Sequence, residues 1–174
     1  LSRSSAASDV YKRQIYDWLI EKQLSEVDAD ILVKISRGNI HNARMLSSQS
    51  IEDIMNTIEK LTTTVIGKDP QKWRNFTSHY SRVFNASQLD FDRQLNLIII
   101  WLQGANKLRQ NLVSGFERTG LHSRMVSFNE KFPNANIYKI ILCIEEVKSL
   151  ARQNLYMPLI LLNMLLDIQE LIYE

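Results

Sequence analysis

Cysteine, glycine and proline are all scarce in this sequence. A single cysteine, Cys143, in 174 residues excludes an internal disulfide framework and points to a reducing compartment. Five glycines and three prolines, set against 45% hydrophobic residues, exclude a disordered chain. No apolar run approaches the roughly 20 residues needed to cross a bilayer; the longest, LIIIWL, covers only 97–102. The phosphate loop GxxxxGK[ST], the dinucleotide fingerprint GxGxxG, the zinc motif HExxH and the nucleophile elbow GxSxG are all missing. His41, His79 and His122 stand 38 and 43 positions apart, with no cysteine or acid at ligand spacing, so no metal site is expected. Strand-like alternation of useful length and internal repeats are lacking as well.

The first fourteen residues, LSRSSAASDVYKRQ, have neither helical periodicity nor the apolar segment of a secretory signal. Residues 4–14 resemble the translation of a sequencing-library adapter, matching one frame over eleven consecutive positions. The expectation is a non-native, disordered leader over 1–14, with the natural chain continuing upstream and only its C-terminal part represented. The leader carries Arg3, Lys12 and Arg13 against Asp9. Of 21 basic and 19 acidic residues in all, 18 of each then remain over 15–174. The formal charge of +2 thus belongs to the leader, and most of the electrostatic case for a nucleic-acid binder goes with it.

What is present is helical period. Ile51, Ile54, Met55, Ile58, Leu61 and Val65 fall at i, i+3, i+4 and i+7, one apolar stripe on a helix that Ser50 and Asp53 would start. Gly67 closes that helix and Pro70 opens the next, whose stripe is Trp73, Phe76, Tyr80, Val83 and Phe84. Ser87 or Asp90 caps a third helix reaching to about 113, apolar all round from Leu95 to Leu102. Gly115, Gly120, Pro133 and Asn134 break up 114–136 and leave room for at most a short helix. A fourth stripe runs through Ile137, Ile140, Ile141, Ile144, Val147 and Leu150 with Asn154 at its end; Pro158 marks the first turn of a last helix to about 173. The expected fold is all-α: a small helical unit over 15–48 and a five-helix domain over 49–174.

Few groups invite chemistry. Cys143 lies between Ile141 and Ile144 and reads as a core thiol. Asp90 and Asp92 suit a helix N-terminus, and Glu145–Glu146 suit a solvated face. Lys107, Arg109, Arg118, Arg124 and Lys131 make a basic stretch opposed only by Glu117 and Glu130, suited to solvent, to a partner or to phosphates.

The remaining feature is ISRGNIHNARML over 35–46. Gly38 and Asn39 break one helix and start another, with Asn39 as N-cap and Ile40, Ala43 and Leu46 turned inward. This corner resembles the last helix of an AAA+ lid, which presents a sensor arginine three places after the glycine. That place holds His41, shorter in reach than a guanidinium and largely neutral near pH 7 by its reference pKa. Arg44, three positions further on, would need a different geometry to substitute.

Together with this corner, IYDWLIEKQLSEVDADILVKISRGNIHNARML (15–46), LNLIIIWLQGANKLRQ (95–110) and IEEVKSLARQNLYMPLILLNMLLDI (144–168) resemble the delta-prime subunits of the bacterial DNA polymerase III clamp loader, in that order and spacing. The 114–136 stretch departs from that likeness. The resemblance implies the end of an AAA+ lid over 15–48 and a helical collar over 49–174. It implies a cytoplasmic assembly subunit without catalytic residues or cofactors of its own. Its partners would be the other subunits of a hetero-pentameric ring and, through them, the sliding clamp and primed DNA. Neither a membrane nor a small-molecule substrate is implied, and the arginine finger lent to a neighbour would lie upstream. Two other readings are open: the lid and tail of an ATP-hydrolysing sibling, and a helical nucleic-acid-binding module.

Overall fold

The computed structural model describes the backbone of residues 2–36, 38–153 and 155–173. Among these the chain is all-α, without a strand: α1 (Ser2–Glu21), α2 (Glu26–Ser36), α3 (Ile40–Leu46), α4 (Ile51–Ile66), α5 (Pro70–Ala86), α6 (Gln88–Arg109), α7 (Gly120–Lys131), α8 (Ile137–Leu150) and α9 (Met157–Tyr173), with a 3-10 turn at Ala151–Gln153. Among the described residues, no helix is long and apolar enough to cross a membrane. Asn154, expected at the end of the fourth stripe, lies outside the described residues.

Helix starts follow local chemistry. The Asn39 side chain accepts from the His41 and Asn42 amides at 2.9 and 3.1 Å. Ser50 accepts from the Asp53 amide at 3.1 Å while its hydroxyl donates to the Asp53 carboxylate at 2.6 Å. Asp69 caps α5 just ahead of Pro70, Ser87 rather than Asp90 caps α6, and Asn136 caps α8. Each satisfies amides that the first turn leaves without a partner.

Three expectations are corrected. The leader is helical from Ser2, continuous with α1. It contains neither Gly nor Pro, so a helix nucleated over the packed Ile15–Leu19 turn propagates back through it. The third long helix stops at Arg109 instead of 113, because Asn111 turns to φ 56° and the Leu112 amide reaches back to the Lys107 carbonyl at 2.9 Å. The 114–136 stretch holds α7, three turns long, so 49–174 contains six α-helices instead of five.

The helices α1, α2 and α3 pack on one another; α4, α5, α7 and α8 pack on α6, and α9 packs on α8, α5 and α4. Leu95, Leu97, Ile98, Ile99, Ile100, Trp101 and Leu102 of α6 are all buried, so its all-round apolar middle is covered on every side. Lys34 of α2 connects the two groups, donating to the Gly115 carbonyl at 2.9 Å.

The end of α4 is finished by side chains of two other helices. The Trp73 indole donates to the carbonyls of Thr64 and Gly67 at 3.2 and 2.8 Å. The amide of Gln169, a buried residue of α9, donates to the carbonyls of Val65 and Ile66, both at 3.1 Å. Gly67 itself has φ −76°, so its glycine answers a close approach: a Cβ there would stand 2.8 Å from the Thr63 carbonyl oxygen. Replacing Gln169 by leucine keeps the volume and strands these carbonyls, which costs about 1–2 kcal/mol. Urea unfolding of Gln169→Leu should show that loss, and an unchanged midpoint would refute the role.

Candidate protein-interaction surface

The break between α2 and α3 forms where expected. Gly38 adopts φ 76°, a conformation that disfavours side chains, and α3 begins two residues later. Ala43 and Leu46 are buried, but Ile40 is 43% exposed, contrary to the inward position expected of it. It is the first residue of a seven-residue helix and has just left the turn. His41 is exposed one residue further on. Arg44 does not take its place: its guanidinium lies over the Trp18 ring of α1, 5.9 Å from the centroid. His41 and Arg44 therefore share α3 without meeting at one point.

The basic stretch is dispersed by the fold. Arg109 turns inward, where Nε donates to the Asn129 side chain at 2.9 Å and the two terminal nitrogens donate to the carbonyls of Phe132 and Ala135. Asn129 in turn donates to the Ala105 carbonyl at 2.8 Å. Burial lowers the guanidinium's pKa without threatening its charge, and the group stitches α6 to the α7–α8 link. Arg124 pairs with Glu59 of α4, and Lys131 lies over the Phe132 ring. Lys107 and Arg118 are exposed. Between them, Glu117 organises the loop. Burial pushes its carboxyl up, but its own amide, those of Gly115 and Ser114 and the Ser114 hydroxyl outweigh that and hold it at about 2.

The other candidates act locally. Asp90 sits in the first turn of α6 and pairs with Arg93 at 2.8 Å; Asp92, on the same turn, is also engaged. Glu145 binds Lys148 at 2.7 Å, while Lys148 also reaches Asn96 of α6 at 2.8 Å. Cys143 is half-buried where α8 meets α9, and burial, with Asp167 and Glu146 nearby, pushes its thiol up to about 11. Among the described residues, no His, Cys, Asp and Glu side chains cluster to hold a metal ion.

The surface that stands out was not singled out from sequence. On α9, Met157, Leu161, Met164, Leu165, Ile168 and Ile172 are buried, and they already fill the core-facing stripe. Leu159, Leu162 and Leu166, at i, i+3 and i+7, form a second stripe that is 53, 38 and 47% exposed. On α8, Tyr138 and Leu142, at i and i+4, are 69 and 49% exposed. The two helices run antiparallel: the Asn136 amide donates to the Leu171 carbonyl at 2.9 Å, and Cys143 feels Asp167. Leu142 and Leu166 thus flank the same level of the pair. Leu155 and Tyr156 extend the apolar surface ahead of α9. Exposed apolar stripes of this kind suit association with another protein. The signal for it was an α9 with leucine on both sides of the helix, more apolar surface than one core stripe needs.

Comparison of the chain with protein-family models, curated proteins and solved structures gives no match.

Arg109→Met keeps the stem and removes the charged hydrogen bonds, so it should cost about 2–3 kcal/mol. Lys107→Met and Arg118→Met should stay within about 0.5 kcal/mol. Chemical denaturation of the three variants checks this; equal, small effects would return Arg109 to the surface.

Proposed function

We propose that this chain is a non-catalytic assembly subunit of the bacterial DNA polymerase III clamp loader, of delta-prime type. Residues 15–48 end an AAA+ lid, and 49–174 form the collar that joins a hetero-pentameric ring in the cytoplasm. The observation that carries this reading is the exposed apolar face of α8 and α9, which a collar packed side by side with its neighbours would cover. The lid corner supports it: Gly38 and Asn39 build the turn, while an exposed His41 stands at the sensor position with Arg44 held against Trp18. A lid with that corner does not grip a γ-phosphate, which suits a subunit that supports hydrolysis by others. Sliding clamp and primed DNA are then engaged through the complex. A direct nucleic-acid role draws little from the basic stretch, since Arg109 and Arg124 are already engaged within the fold.

The test mixes the chain with the remaining clamp-loader subunits and measures mass by light scattering after size exclusion. The chain should enter the ring. The triple variant Leu159→Lys, Leu162→Lys, Leu166→Lys should keep its helicity and unfolding midpoint and lose about 100-fold in assembly, a loss typical of a hot-spot cluster. Failure of the unmodified chain to assemble, or equal assembly of the variant, refutes the reading.

A further inference from the structure

A cleft of about 830 Å³ lies between α4 and α5, with Gln94 of α6 also in its lining. Leu61 and Phe76 are its apolar part; hydroxyl, amide and cationic side chains make up most of the rest.

The cations of the cleft form a row. Lys72 and Arg82 stand ten residues apart on α5, which is about 15 Å along a helix axis. The two helices join where the Trp73 indole meets the Thr64 carbonyl, and away from that junction the lining reaches Asn56 on α4 and Arg82 on α5. Lys60, four residues before Thr64 on α4, therefore lies about 6 Å down the cleft, between the levels of Lys72 and Arg82. All three side chains are exposed, and none has an ion pair among the described residues. The carboxylate in the lining, Glu59, is already paired with Arg124. The helix α5 carries no acid at all, in a chain that is electrically balanced outside its leader.

Tyr80 supplies the second observation. It lines the same cleft and is 7% exposed. Its hydroxyl forms no hydrogen bond among the described residues, yet solvent reaches that oxygen, unlike the sealed indole nitrogen of Trp101. A tyrosine buried to this degree ordinarily has a partner for its hydroxyl. Burial pushes the phenol up to about 12, so it stays a neutral donor at any ordinary pH.

Ammonium, guanidinium and phenol all donate. Their complement is a ligand rich in acceptors, with its negative charges spaced along a line. In nucleic-acid complexes it is this set of side chains, Lys and Arg with Ser, Thr, Asn, Gln and Tyr, that contacts phosphate oxygens. We propose that the α4–α5 cleft binds the phosphate backbone of a single nucleic-acid strand, with Lys72, Lys60 and Arg82 along successive phosphates and the Tyr80 hydroxyl donating to one of them. Phe76 and Tyr80 are too deeply buried to stack on bases, so binding is indifferent to sequence. The cleft shares no residue with the lid corner or the α8–α9 face, so this inference and the clamp-loader reading stand or fall separately.

The test measures fluorescence anisotropy of a labelled oligothymidylate with the intact chain across a salt series. Binding should be weak, with a Kd of about 1–100 μM near physiological salt. Three phosphates at about 0.7 each give a log–log salt slope of about −2. Lys72→Gln with Arg82→Gln should weaken binding about tenfold and flatten the slope by about 1.4. Lys107→Gln with Arg118→Gln removes the same charge from exposed positions outside the cleft and should change affinity by less than about twofold. Tyr80→Phe loses no hydrogen bond within the fold, so it should keep its unfolding midpoint while weakening binding about threefold or more. The proposal is overturned if the strand does not bind, if the two double variants weaken it equally, if Tyr80→Phe binds unchanged, or if poly-glutamate displaces the strand as well as unlabelled oligothymidylate does.

Discussion

The last turn of α4 has carbonyls that its own helix cannot use, and side chains of α5 and α9 satisfy them. Trp73 reaches back from the first turns of α5, and Gln169 reaches across from α9, a hundred residues away in sequence. Those bonds join the first, second and last helices of the unit at one point. Gly67 allows the closeness, since a Cβ there would collide with the Thr63 carbonyl. With α9 anchored along that edge and its core stripe packed inward, the orientation of the helix is fixed.

A fixed α9 leaves its second leucine stripe no place inside. Leu159, Leu162 and Leu166 face outward because Leu161, Met164, Leu165 and Ile168 already occupy the interior side. The antiparallel α8 carries an exposed apolar pair of its own, Tyr138 and Leu142. Apolar stripes left in water on two adjacent helices suit burial against another protein. The opposite treatment of polar groups is consistent with this. Arg109, Lys148 and Glu117 are each engaged within the fold.

What could be read from the sequence was what is local. Asn39, Ser50 and Ser87 act on amides two or three residues away, so their roles as caps follow from spacing alone. The apolar stripes of α4, α5 and α8 were equally legible, because period alone defines them. What escaped was what depends on distant partners or on a single backbone angle. Arg109 looked like part of a basic surface until the α7–α8 link folded over it. Asn111 ended α6 early through a left-handed φ that asparagine permits but does not demand. Ile40 fits an inward pattern by spacing but, as the first residue of α3, is left exposed. The exposed face of α9 could have been read from its leucines on both sides, while its neighbour on α8 required the antiparallel pairing to be seen.

The central claim is that the α8–α9 face is buried when the chain does its work. Hydroxyl-radical footprinting of the chain alone and within the reconstituted clamp loader tests it directly, because Tyr138 and Tyr156 are 69 and 73% exposed and react readily. The account predicts that both become protected on assembly, together with Leu159 and Leu166, while Val113 on the α6–α7 loop oxidises as before. Equal oxidation of Tyr138 and Tyr156 in the two states would contradict it.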